Sequence, residues 1–176
     1  MNIRHKRTLD VLFGRPLAAV LNVAAFLLSR MWRRDHRDGP AHVHTVVICK
    51  YVGMGSLLRA SAFIAAVRRQ YPDARIILVV GTSLRLIGER LGGWDELLTV
   101  RDKPLFGCAL DIVRVIVYLW RRRVDLFFDL EVHSSFSSII AAVSAARNRY
   151  GFLSESLTFP RRLLTHTVRF AMNQHV

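Results

Sequence analysis

Two short runs of this chain hold residue types that could do chemistry. The first is Lys50-Tyr51-Val52-Gly53-Met54-Gly55-Ser56, and the second is Asp129-Leu130-Glu131-Val132-His133-Ser134-Ser135. Lys50, together with Arg59 just beyond the first run, offers cations to an anionic ligand. Gly53 and Gly55 supply turn conformations without a Cβ penalty and let a ligand approach the backbone. Ser56 is placed to cap a following helix, whose free N-terminal amides favour an anion. In the second run Asp129 and Glu131 are carboxylates able to accept a proton, and His133 could touch the same ligand. Asp129 is at least as well suited to orienting backbone amides of the neighbouring loop. The plainer alternative for the first run is a tight strand-to-helix turn that binds nothing.

Neither run is a known phosphate fingerprint. After Gly53-x-Gly55 the third glycine of a dinucleotide motif is replaced by Leu58, and no Gly-Lys-Ser/Thr follows to make a P-loop. His42 and His44 precede a strand with no carboxylate or cysteine nearby, so they read as structural and no metal site is expected. Cys49 and Cys108 form no C-x-x-C and read as reduced thiols. No cofactor is called for.

The elements that must position these residues alternate in period. His44–Cys49 is a short β-branched run of the kind buried on both faces of a parallel sheet. Ser56–Gln70 follows with Leu57, Ala60, Phe63, Ile64 and Val67 at helical spacing. Tyr71-Pro72-Asp73 stops that helix, and Ala74–Val80 is a second buried strand. Thr82 or Ser83 can cap a helix running to Leu91, ended by Gly92-Gly93. Glu96–Val100 reads as a third strand. Phe106–Arg122 reads as a long helix with Ile112, Val113, Ile116, Val117 and Trp120 on its buried side. Val124–Leu130, Ser134–Ala146 and Asn148–Phe152 complete a strand, a helix and a strand. Strands alternating with such helices make right-handed βαβ units. The fold class is therefore α/β, a Rossmann-like open parallel sheet with helices on both faces. Ligands in such sheets bind outside the carboxyl ends of the strands, where the strand order reverses. After Phe152 the pattern weakens, and no further unit is expected to be completed before Val176.

Residues 1–40 read as a separate basic apolar helix and linker, and residues 41–176 as the Rossmann-like domain. The uncharged stretch Pro16–Ser29 is short of the ~20 residues that span a bilayer. Leu17, Val20, Leu21, Ala24, Leu27, Leu28 and Met31 recur at helical spacing, and Trp32 with Arg30, Arg33, Arg34 and Arg37 closes the run. Such a helix suits a membrane surface; packing on its own domain is the alternative. The chain carries 26 Lys+Arg against 13 Asp+Glu, a net +13, which calls for an anionic partner. Nucleic acid is not expected, because the arginines are scattered and no groove-reading motif is present.

The stretch Lys50-Tyr51-Val52-Gly53-Met54-Gly55-Ser56, continued to Arg68-Arg69-Gln70-Tyr71-Pro72-Asp73-Ala74-Arg75-Ile76, resembles the opening of family 9 glycosyltransferases, the ADP-heptose:lipopolysaccharide heptosyltransferases and relatives. Asp125-Leu126-Phe127-Phe128-Asp129-Leu130-Glu131 and Arg147-Asn148-Arg149-Tyr150-Gly151-Phe152 resemble later motifs of that family, so the likeness covers roughly Val43–Phe152. It implies the acceptor-side half of a GT-B fold, two facing Rossmann-like domains, the second binding the nucleotide-sugar. The implied reaction is inverting, single-displacement transfer of a sugar to a lipopolysaccharide-type, anionic, lipid-linked glycan. That acceptor implies a cytoplasmic protein, peripheral on the inner face of the cytoplasmic membrane.

Two departures qualify the likeness. Where the family has an aspartate as the proposed general base, this chain has Ser56, and a serine hydroxyl is no base near neutral pH. Glu131, or Asp129 beside it, could act in its place. The chain also ends before a donor domain begins, so a non-catalytic, membrane- or partner-binding remnant is the alternative reading.

Overall fold

The β-branched run after His44 forms strand β1 (Thr45–Lys50), all six residues of which are buried. In the computed structural model the described residues are 42–101, 105–132, 136–153 and 163–169. The expected N-terminal helix and the residues His133 to Ser135 lie outside them. Chain order then runs α1 (Met54–Gln70), β2 (Arg75–Gly81), a 3-10 turn (Thr82–Leu84), α2 (Arg85–Arg90) and β3 (Glu96–Val100). It continues with α3 (Leu105–Arg122), β4 (Leu126–Asp129), α4 (Phe136–Val143), β5 (Asn148–Leu153) and β6 (His166–Arg169).

The strands form one six-stranded sheet in the order β3-β2-β1-β4-β5-β6, every pair parallel. This is the α/β, Rossmann-like arrangement read from the sequence. The chain winds outward from β1 to β3, then crosses back to place β4 on the other side of β1. Strand order therefore reverses between β1 and β4, which pair Val46 with Leu126 and Cys49 with Asp129.

Alternation along the strands divides the core into two layers. Val46, Ile48, Ile76, Leu78 and Leu126 pack with Leu57, Ile64 and Val67 of α1. Val47, Cys49, Ile77, Val79 and Phe127 pack with Val115 and Leu119 of α3 and Ile140 and Ala141 of α4. Each fully buried Leu, Ile, Val or Phe contributes roughly 1.5–3 kcal/mol, so the sheet is held from both sides. At the base of the sheet, carboxylates bind free strand amides. Asp125 Oδ2 accepts from His44 N at 2.8 Å and Thr45 N at 3.1 Å. Asp95 Oδ2 accepts from Ile76 N at 2.7 Å.

Four expectations need correction. Helix α1 begins at Met54, with Gly53 at its cap position and no side-chain cap, so Ser56 does not cap it. Thr82 does not cap a helix either: its hydroxyl donates to Val100 O at 3.2 Å, and the residues expected to start a helix form the 3-10 turn instead. On α3, Val113, Val117 and Trp120 are exposed, and the face on the sheet is Val115 and Leu119 with Ile112 beside them. The helix is apolar on both sides, so periodicity alone chose the wrong one. Finally, a sixth strand follows Phe152: β6 pairs with β5 from Tyr150–His166 to Leu153–Arg169. Among the described residues, no helix is long and apolar enough to cross a membrane.

Candidate functional site

At the carboxyl edge, β1 hands over to the loop Tyr51–Gly53 and β4 to the loop Leu130–Val132. The two loops face each other because β1 and β4 are neighbours. Lys50, the last residue of β1, is only 6% exposed, and Glu131 just beyond β4 only 7%. The Lys50 ammonium meets Glu131 Oε1 at 3.1 Å and donates to Leu130 O at 3.2 Å. The same Oε1 accepts the Val52 amide at 2.7 Å. A buried charge pair survives only with such extra hydrogen bonds, because desolvation otherwise outweighs the attraction.

Asp129 lies beneath this pair, 1% exposed. Its Oδ1 accepts the Glu131 amide at 3.0 Å and its Oδ2 the Ser138 hydroxyl at 2.6 Å. Burial pushes the Asp129 carboxyl up to about 6, and hydrogen bonds from Ser137, Ser138 and the Glu131 amide only partly oppose it. A chain of polar contacts thus runs from α4 through Asp129 and Glu131 to Lys50 and Val52, tying both sides of the order reversal together.

Gly53 is required on the other loop. Its φ is 98°, and a Cβ there would come within 2.5 Å of Ser56 Oγ. The Ser56 hydroxyl donates to Gly53 O at 2.8 Å and approaches Val52 O at 3.3 Å. It therefore spends its proton on the turn. Gly55 sits inside α1 and a Cβ on it would meet nothing within 4 Å, so the expectation that Gly55 serves the turn conformation is not met.

The loops and α1 border an open cavity of about 750 Å³, lined by Lys50, Val52, Gly53, Ser56, Arg59, Phe63, Glu131, Val132 and Phe152, among others. A smaller cavity of about 210 Å³ adjoins it, sharing Phe63, Leu130 and Phe152 and adding Phe128 and Tyr150. Those rings form a ladder: Phe63 meets Phe128 edge-on at 5.1 Å, and Phe128 stacks on Tyr150 at 5.0 Å. Glu131 is the one carboxylate among the described residues that line the larger cavity. Arg59 is its exposed cation and makes no ion pair among the described residues.

Of the residues singled out from sequence, Lys50, Gly53, Ser56, Arg59 and Glu131 come together at one cavity. Asp129 supports them from below and touches the smaller cavity. Gly55 does not line the cavity, and His133 lies outside the described residues. His42 and His44 are at the opposite edge of the sheet, where the His44 amide bonds to Asp125. Sequence reasoning missed the apolar lining, Phe63 and Phe152, because both read as ordinary core positions. It also missed Ser138, whose signal was its place in a Ser-rich stretch after the second run.

No protein-family model matches the chain, and no curated protein sequence matches it. Comparison of folds does find relatives. A glycosyl transferase family 9 structure from Veillonella parvula DSM 2008 superposes with a TM-score of 0.66 at 17% identity, over 78% of this chain and 38% of that one. The E. coli ADP-heptose lps heptosyltransferase II superposes with a TM-score of 0.55 at 17% identity, over 70% of this chain and 34% of that one. The chain thus matches little more than a third of the length of these structures. At such identity the likeness concerns the fold. The sheet and its order reversal make a Rossmann-like fold similar to that of these two glycosyltransferase structures.

Proposed function

We propose that this domain is the acceptor-binding half of a nucleotide-sugar-dependent glycosyltransferase, heptosyltransferase-like, acting on a lipopolysaccharide-type glycan. The observation that carries the reading is the cavity at the order reversal, with Arg59 and an apolar wall of Phe63 and Phe152. A sugar ring can rest its C–H face on such a wall while an anionic substituent meets the arginine. The nucleotide-sugar would be held by a second domain outside these residues. Transfer then breaks the bond between the anomeric carbon and the donor phosphate, releasing the nucleoside diphosphate. A bond forms from the acceptor oxygen with inversion, and its proton passes to a base. Glu131 is proposed for that base, since it is the cavity's carboxylate and Ser56 donates its own proton to Gly53 O. The reading also places the protein at the inner face of the cytoplasmic membrane, held there through the basic apolar N-terminal segment.

The second reading is a non-catalytic binding module that keeps the acceptor cavity. The Ser56 geometry and the engagement of Glu131 by Lys50 and Val52 favour it. A transfer assay separates the two, using a panel of nucleotide-sugars and a lipid-linked acceptor. The chain alone is compared with the chain joined to a donor domain. Turnover only in the joined form, lost in Glu131→Gln, supports the first reading with its base. Unchanged turnover in Glu131→Gln removes that residue from the mechanism. Acceptor binding with no turnover in either form selects the binding module.

A further inference from the structure

Helix α3 carries a second apolar face that the core does not use. Phe106, Leu110, Val113, Val117 and Trp120 are 77%, 41%, 57%, 37% and 38% exposed. Their spacing of four, three, four and three residues puts them on one stripe about 21 Å long. The indole N–H of Trp120 is already donated to Val143 O at 2.6 Å.

One margin and the C-terminal end of the stripe are cationic. Arg114 has 75% of its side chain exposed, and Arg121 and Arg123 are exposed at the C-terminal end. The helix's one acid, Asp111, is taken up by Arg101, with contacts of 2.7 and 3.0 Å from the guanidinium, and it also stands 3.6 Å from the Arg114 guanidinium. The Phe106 end lies beside the cavity loop, because the Tyr51 hydroxyl donates to Arg101 O at 3.0 Å and lies 3.8 Å from Cys108 Sγ.

We infer that the exposed stripe of α3 is a docking face for an anionic lipid bilayer. Apolar side chains reach the acyl boundary while Arg114, Arg121 and Arg123 meet acidic headgroups. Trp120 beside consecutive arginines suits the headgroup level. A second copy set on the same stripe would bring Arg114 and Arg121 against their own counterparts with no unpaired carboxylate among the described residues of the stripe to meet them, so the charge selects lipid over self-pairing. The inference stands on the surface of α3, not on the transfer reaction or on the N-terminal segment.

The test is sedimentation of the full chain with vesicles of phosphatidylglycerol and phosphatidylcholine, and with phosphatidylcholine alone. The wild type is expected to bind the anionic vesicles and to release them in high salt. Val113→Asp with Val117→Asp should lower the partition constant at least about tenfold, and the milder Phe106→Ser should lower it in the same direction. Both sites are exposed, and circular dichroism checks that the fold is kept. A chain carrying Arg30→Gln, Arg33→Gln and Arg34→Gln should keep the binding that the α3 variants lose. If the α3 variants bind like wild type while the N-terminal variant does not, the α3 face is overturned and the N-terminal membrane reading stands. No binding by the wild type overturns both. A wild-type dimer that Val113→Asp converts to a monomer makes the stripe an interface between copies and overturns the inference.

Discussion

At Glu131 one carboxylate oxygen receives both the Val52 amide and the Lys50 ammonium, so removing either partner leaves a buried charge or donor unmet. Lys50→Met should cost about 3–5 kcal/mol, the usual loss when a buried ion loses its counterion. Adding Glu131→Gln should restore about 2 kcal/mol or more, since the neutral amide still accepts the Val52 N–H. Urea denaturation of the two single variants and the double variant checks this, and simple addition of the single losses would show that the pair is uncoupled. Asp129 gives a pH signature of the opposite sign to most acids. Its folded value of about 6 lies above the unfolded value, so folding binds a proton more tightly. That contribution is fully present below about pH 4 and is lost as pH rises through about 6, so that stability is roughly 2–3 kcal/mol lower at neutral pH on this account. Asp129→Asn should flatten this slope, because an isosteric amide can serve Ser138 and the Glu131 amide without ionising. Stability measured at pH 4, 5, 6 and 7 decides it: an unchanged slope in the variant would assign the proton elsewhere.

At the scale of elements, the two glycines of the first run separate turn from helix. Gly53 holds φ 98° with Ser56 packed over it, whereas Gly55 has open space around it within α1. Gly53→Ala should therefore destabilise by about 1–2 kcal/mol, from the left-handed backbone and the Ser56 contact. Gly55→Ala should stabilise by about 0.5–1 kcal/mol, the ordinary gain of alanine inside a helix. Thermal melts of both variants test the assignment, and a loss from Gly55→Ala would return that glycine to the turn. Strand positions were legible because β1 and β2 are almost wholly β-branched or aliphatic, which only a strand buried on both faces tolerates. The orientation of α3 was not legible, because Ile112 and Val113, or Ile116 and Val117, offer equal apolar claims to the sheet. Packing decided between them. Strand β6 was missed because His166–Arg169 carries three exposed residues in four and has no apolar signature.

For the whole molecule, the site is a product of topology, and its parts were legible where its assembly was not. Lys50 and Glu131 are far apart in sequence and become partners because β4 inserts beside β1. Their pairing also changes what a net charge of +13 means at the cavity. Lys50 is neutralised by Glu131, so among the described lining residues Arg59 is the cation left to face a ligand there. The molecule's remaining excess charge acts at longer range, speeding the approach of an anion in a salt-dependent way. These two contributions can be separated by titrating the chain with a phosphorylated, lipid-free glycan acceptor. Arg59→Gln should weaken binding about tenfold, or ~1.4 kcal/mol. Raising the salt concentration should weaken the wild type more than the variant, since the variant has already lost its close contact while keeping the distant field. If wild type and Arg59→Gln bind alike at every salt concentration, the anionic group of the acceptor does not sit at Arg59. The cavity would then recognise its ligand through Phe63 and Phe152 alone.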